Sequence, residues 1–140
     1  MKILLPVDGS KPALNAAAYV LDLSRQSWPL EVELLNVQIP IASGEIRRFV
    51  SQAMIDSYHR AEGEEALRAP KQLLDEGNLS YKATILVGHI GETIATYAAK
   101  EHFDSIVMGT RGMGPIKNLV LGSVATQVIH LAEMPVTLVK

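Results

Sequence analysis

The chain has 140 residues, 48% of them apolar, enough for one globular domain that buries about two-thirds of its unfolded surface. Its formal net charge of −2 offers no basic face to a nucleic acid, and the absence of cysteine excludes disulfides and thiolate metal sites. No apolar run approaches a membrane span, and Met1-Lys2-Ile3-Leu4-Leu5-Pro6 is charged too early for a signal peptide, so a soluble cytoplasmic protein is expected.

Strand-like and helix-like patterns alternate along the whole chain. Lys2 to Val7 is a short apolar run of the kind a strand buried on both faces requires. Ser10 is placed to cap a helix, Pro12 falls in its first turn, and Ala13, Leu14, Ala17, Ala18 and Leu21 keep helical spacing. Ser27-Trp28-Pro29 breaks that pattern, Glu31 to Val37 reads as a second strand, and Ile39 to Gly44 as a loop. From Glu45 to Glu76 apolar residues recur in a helical stripe. Gly63 and Pro70 interrupt it, which predicts a kink or two consecutive helices, and Gly77-Asn78 ends it. Tyr81 to Val87 is the third strand, Glu92 to His102 a further helix, and Ser105 to Met108 the fourth strand. Ser123 to Leu131 forms the last helix, and Val136 to Val139 a closing strand after Pro135. Apolar strands joined by helices call for a parallel sheet covered on both faces, and right-handed crossovers favour double winding. The pattern by itself leaves the strand order open.

Chemistry concentrates after the fourth strand. Gly109 and Gly112 are followed, after nine intervening residues, by Gly122-Ser123, where the last helix begins. A strand that feeds a glycine-rich loop into a helix start is a way to hold phosphate, because glycines bring backbone N–H groups close to the anion and the helix end adds unpaired donors. So long a connection is unusual in a compact domain unless it is functional. It is not a P-loop, since no Gly-Lys pair occurs, nor a dinucleotide fingerprint, since Lys117 stands where Gly112-x-Gly114 would need its third glycine.

These residues satisfy G-x2-G-x9-G-S/T, and the chain resembles the nucleotide-binding branch of the universal stress protein family. The likeness also rests on Ile3-Leu4-Leu5-Pro6-Val7-Asp8-Gly9-Ser10, on Ser105 to Gly112, on Leu119 to Ala125 and on Met134-Pro135-Val136-Thr137-Leu138-Val139. It covers residues 1–140 as one universal stress protein domain. The connection from the second strand to the long helix is shorter than the family norm, and Met113-Gly114-Pro115 stiffens the phosphate loop. What the resemblance implies is a Rossmann-like α/β domain with a five-stranded parallel sheet of order 3-2-1-4-5. The winding then reverses between strands 1 and 4, where a crevice opens at their carboxyl ends.

The same resemblance implies that ATP or AMP, with or without Mg2+, is held by Pro6, Val7, Asp8, Gly9, Val37, Met108, Gly109, Arg111, Gly112, Gly122, Ser123 and Val124. Backbone groups at Val37 would read the adenine edge, Met108 would wall the base, and Ser123 would serve as helix cap and phosphate donor. Read alone, Asp8 is either a ligand for ribose or the adenine amino group or a cap on the next helix, and Ser10 is a cap. Arg111 and Lys117 are cations for phosphate or solvated side chains. The family also implies a homodimer joined through the last strand. His89-Ile90-Gly91 begins like a nucleotidyl-transferase HxGH motif, but Glu92 replaces the second histidine, so the segment reads as a loop and helix start. His59, His102 and His130 lack metal-ligand spacing and read as surface or helix-end residues. No spacing nominates a catalytic group. The expected function is an adenine-nucleotide-binding regulator or sensor of stress response. The alternatives are a slow ATPase or nucleotidyl transferase needing a partner, and a nucleotide-free structural dimer.

Overall fold

A computed structural model describes residues 1–26, 29–41, 43–113 and 120–140. Ser27 and Trp28 of the first helix break, Ala42, and Gly114, Pro115 and Lys117 of the glycine-rich loop lie outside the described residues. In chain order the elements are β1 (Lys2–Pro6), α1 (Lys11–Ser24), β2 (Glu31–Gln38), α2 (Gly44–Phe49), α3 (Gln52–Glu76) and β3 (Tyr81–Val87). They continue with α4 (Ile90–Lys100), β4 (Ser105–Gly109), α5 (Ser123–Leu131) and β5 (Val136–Val139). The five strands form one parallel sheet in the order β3-β2-β1-β4-β5.

Alternation along each strand divides the core into two layers. Ile3, Leu5, Val32, Leu34 and Val107 face α1 and α3, where they meet Ala17, Val20, Leu67 and Leu74. Leu4, Leu35, Val37, Ile106 and Met108 face α4 and α5, against Ile94, Ala98, Ala125 and Val128. Strands buried on both faces are what the near-continuous apolar runs require.

The long helical stripe does divide, but not where glycine and proline suggested. It breaks at Val50, which is extended, and at Ser51, whose side chain caps α3 by accepting from the Met54 amide at 3.2 Å. Gly63 and Pro70 lie inside α3, which runs unbroken for 25 residues. Gly63 is there for contact: a methyl group on it would stand 2.7 Å from Ile85 Cδ1 of β3 and 2.9 Å from two further Ile85 carbons. After α3 the left-handed residue is Asn78, with φ 56°. The fourth helix starts two residues earlier than expected, at Ile90, so Ile90 and Gly91 belong to α4 rather than to a loop. At α5 the cap is Gly122, and Ser123 is the first helical residue, not the cap.

Candidate functional site

The pairing of β1 with β4 stops early: Ile3 matches Ser105 and Leu4 matches Ile106, and no partners follow. The cause is local. The Lys2 carbonyl accepts from Asp104 on the β4 side and the Val7 amide donates to Leu35 on the β2 side, so alternation turns the Pro6 nitrogen toward β4. Proline has no proton to give there, the ladder ends, and the strands part. The gap is a cavity of about 310 Å³ at the carboxyl ends of β1 and β4, a size typical of small-ligand sites.

Eleven of the twelve expected residues line it: Pro6, Val7, Asp8, Val37, Met108, Gly109, Arg111, Gly112, Gly122, Ser123 and Val124. Gly9 does not. Its φ of 85° turns the β1–α1 loop, and the place of its missing side chain faces Ala66 of α3 and the Met113 sulfur. Also in the lining, and not foreseen there, are Ser10, Ala13, Leu35, Ile90, Ile94 and Ala125. Leu35 shares the Val37 face of β2, and Ile90 and Ile94 lie one turn apart at the start of α4. The period-two and i, i+4 patterns carry that information, but a helix that starts at Glu92 leaves Ile90 outside it.

Asp8 is exposed, and its Oδ1 accepts from the Ser10 amide at 2.9 Å. Ser10 in turn caps α1, with Oγ accepting from the Ala13 amide at 3.3 Å. Asp8 Oδ2 points to the facing loop, where a methyl group on Gly112 would come within 2.6 Å of it. Val37 has its N–H and C=O turned to the β1 side, since Leu35, two residues before it, accepts there from Val7, and β1 has ended at that level. Asn36, buried on the opposite face, donates through Nδ2 to the Val7 carbonyl at 2.8 Å and accepts from Gln38 at 2.6 Å, which fixes the entry to the Asp8 turn.

The glycines of the motif serve close approach, not unusual dihedral angles. At Gly109 a methyl group would stand 2.8 Å from Pro12 Cβ and 2.9 Å from the Pro12 carbonyl carbon, so α1 could not pass over the strand end. Gly122 has φ −74°, and its N–H donates to the Thr110 carbonyl at 2.7 Å, drawing the two ends of the loop together. Within α5 the first ladder bond runs from the Thr126 amide to the Gly122 carbonyl, leaving the amides of Ser123, Val124 and Ala125 without helical partners. All three residues line the cavity. Among its described lining residues Arg111 is the single cation and Asp8 the single carboxylate.

Chemically, the cavity joins an apolar slot (Val37, Met108, Leu35, Ile94) to an anion-seeking end built from amides, a helix dipole and a guanidinium. Among the described residues no group of three or more His, Asp or Glu side chains is arranged to hold a metal. His59 corrects the sequence reading: it is buried in α3, with Nε2 hydrogen-bonded to the Ile39 carbonyl at 3.1 Å. His102 and His130 are exposed.

A family model described as "Universal stress protein family" matches residues 1–140. The chain belongs to the universal stress protein family. A universal stress protein of Thermus aquaticus is 35% identical over 99% of this chain and 97% of its own length. Protein MJ0577 of Methanocaldococcus jannaschii, solved to assign its biochemical function, superposes with a TM-score of 0.84 at 30% identity over 99% of this chain and 94% of its own. More distant members share the fold in complex with nucleotides. A family member from Arabidopsis thaliana has AMP bound, at TM-score 0.71 and 24% identity over 100% of this chain and 91% of its own. One universal stress protein is in complex with cAMP (TM-score 0.73, 19% identity, 100% and 97% coverage), and another, from Archaeoglobus fulgidus, with dAMP (0.67, 23%, 100% and 98%).

Proposed function

We propose that the chain binds an adenine nucleotide, ATP or AMP with or without Mg2+, in the β1–β4 cleft, and acts in the cytoplasm as a regulator or sensor of stress response. The observation that carries this reading is the juxtaposition of the amides of Ser123, Val124 and Ala125, which have no partner among the described residues, with the Asp8 carboxylate across one cavity whose other end is apolar. Phosphate would lie against the amides, with Arg111 offsetting part of its charge. The ribose would meet Asp8 Oδ2, and the base would enter the slot beside Val37 and Met108, where backbone N–H and C=O groups are open to its edge. The AMP, cAMP and dAMP complexes of distant members support the ligand class.

Holding nucleotide as a signal fits this lining better than turning it over. Phosphoryl transfer needs a positioned nucleophile and clustered positive charge, and Arg111 is the one cation among the described lining residues. Hydrolysis by the purified protein is therefore expected to fall well below about 1 per second. The deciding experiment is calorimetry of the purified, nucleotide-stripped protein with AMP, ATP and adenosine, alongside chromatography of whatever nucleotide the native protein releases on denaturation. Binding of AMP and ATP tighter than adenosine is expected. No heat with any of them at millimolar concentration would overturn the reading.

A further inference from the structure

We propose that Met113 is an oxidation site through which a peroxide loosens the nucleotide cleft, a step that rests on the nucleotide reading above. The chain has no cysteine, so its five methionine thioethers are the only sulfur open to such an oxidant. They are unequally placed. Met108 is 5% exposed and Met134 is half-buried, whereas Met1, Met54 and Met113 are exposed, Met113 most of all at 75%.

Of the exposed three, Met113 is the one that joins the two loops bordering the cavity. It follows Gly112, whose backbone lies against the Asp8 carboxylate. Its sulfur reaches across to Gly9, so that a methyl group on Gly9 would stand 3.8 Å from Met113 Sδ and 3.6 Å from the Ala66 Cα. Met113 is not itself part of the lining. It braces, from outside, the turn at Gly9 between Asp8 and Ser10 against the segment that carries Arg111 and Gly112.

Hydrogen peroxide transfers one oxygen atom to the thioether sulfur. An S–O bond forms, the O–O bond breaks, sulfur is oxidised by two electrons, and water leaves. The product replaces an apolar, polarizable contact with a sulfoxide oxygen that needs water or a hydrogen-bond donor. Solvent already surrounds most of this side chain and supplies those hydrogen bonds, so the oxidised sulfur is drawn away from Gly9 into water and the two loops lose their brace. AMP affinity then falls by about fourfold, comparable to the burial of one methylene group.

The test uses the full-length protein, treated with hydrogen peroxide and mapped by peptide mass spectrometry. Two measurements follow: AMP binding by calorimetry, and the rate at which trypsin cuts after Arg111. Both are made on wild type, Met113→Leu and Met54→Leu, before oxidation and after. We expect Met113 to oxidise before Met134 and Met108. Oxidised wild type and Met54→Leu should bind AMP more weakly and be cut faster, Met113→Leu should change in neither, and methionine sulfoxide reductase should reverse both effects. Equal losses in Met113→Leu, or a Met113 still reduced once Met134 is oxidised, would overturn the proposal. If the reduced wild type binds no AMP, the nucleotide reading fails, and the trypsin measurement alone then judges the brace. An unchanged cutting rate would overturn that too.

Discussion

At Gly112 the missing side chain leaves room for one oxygen atom, Asp8 Oδ2, and this contact couples two loops about a hundred residues apart in sequence. Gly112→Val is expected to push the Asp8 carboxylate aside and abolish AMP binding while leaving the helical circular dichroism spectrum intact, because the loop lies outside both core layers. Gly122→Val should do the same by a different route. Its Cβ would stand 3.1 Å from the Arg111 Cα and force apart the loop ends that the Gly122–Thr110 hydrogen bond holds together. Asp8→Ala is expected to weaken AMP and ATP alike by about 1–3 kcal/mol, the range for a hydrogen bond to a charged group. Ser123→Ala should weaken ATP and leave adenosine unchanged, a pattern that calorimetry on the three ligands separates. Wild-type affinity in Gly122→Val would mean that the glycines serve only the turn. The motif glycines were legible as a group, but the reason for each was not. Spacing suggested backbone freedom at the phosphate, whereas Gly109 accommodates α1, Gly112 accommodates Asp8, and the positive φ belongs to Gly9. Contacts between distant segments leave no mark on local pattern.

Among the elements, strands were read to within a residue or so because their apolar runs are short and bounded by polar residues, and those of β1, β2 and β4 are buried on both faces. Helix boundaries fared less well. Ser51 is an ordinary cap set inside the apolar stripe, between Phe49-Val50 and Ala53-Met54, and nothing beside it stood out as strongly as Pro70, which the packing of α3 tolerates in the helix interior. Gly63→Ala tests that packing directly. Alanine gains about 1 kcal/mol of helix propensity over glycine, but its methyl group would meet three Ile85 carbons at 2.7–2.9 Å, and such overpacking costs about 1–3 kcal/mol. A net loss of stability in urea unfolding is therefore expected. A second element-level test uses α4. Tyr97 donates to the buried Glu33 carboxylate at 2.7 Å, beside Thr84 at 2.6 Å and Lys82 at 3.5 Å. Burial, and then that hydrogen bond, pushes the Tyr97 phenol up to about 12. The folded state thus holds this proton more tightly than the unfolded chain, whose tyrosines titrate near about 10. The resulting stabilisation is complete below about pH 10 and disappears as pH rises toward the folded value. Melting temperatures followed through this range should fall more steeply for wild type than for Tyr97→Phe, and parallel curves would contradict the assignment.

For the molecule as a whole, the strand order leaves β5 at an edge, where one side of the strand has unpaired N–H and C=O groups. Antiparallel pairing of two such edges about a two-fold axis would close the assembly, and a homodimer is expected on that ground. Sedimentation at micromolar concentration checks it: full-length protein should run as a dimer, and a chain truncated after Met134 as a monomer or an insoluble product. A full-length monomer would refute the edge pairing. Double winding was legible in the alternation of elements, but the position of β1 at the centre of the sheet was not. That order depends on which apolar faces meet in three dimensions, and here it came from family likeness.

Pro6 gives the cleft a history that no contact inside it records. In an open α/β sheet a ligand site between two neighbouring strands forms where the winding reverses. Here the winding reverses between β1 and β4, and a ring nitrogen without a hydrogen ends the ladder at that point. Both features belong to the chain itself, one to its topology and one to a single side chain. On the proposed reading, a cleft built this way does not have to be pried open before it is filled, and its occupancy would follow nucleotide concentration directly.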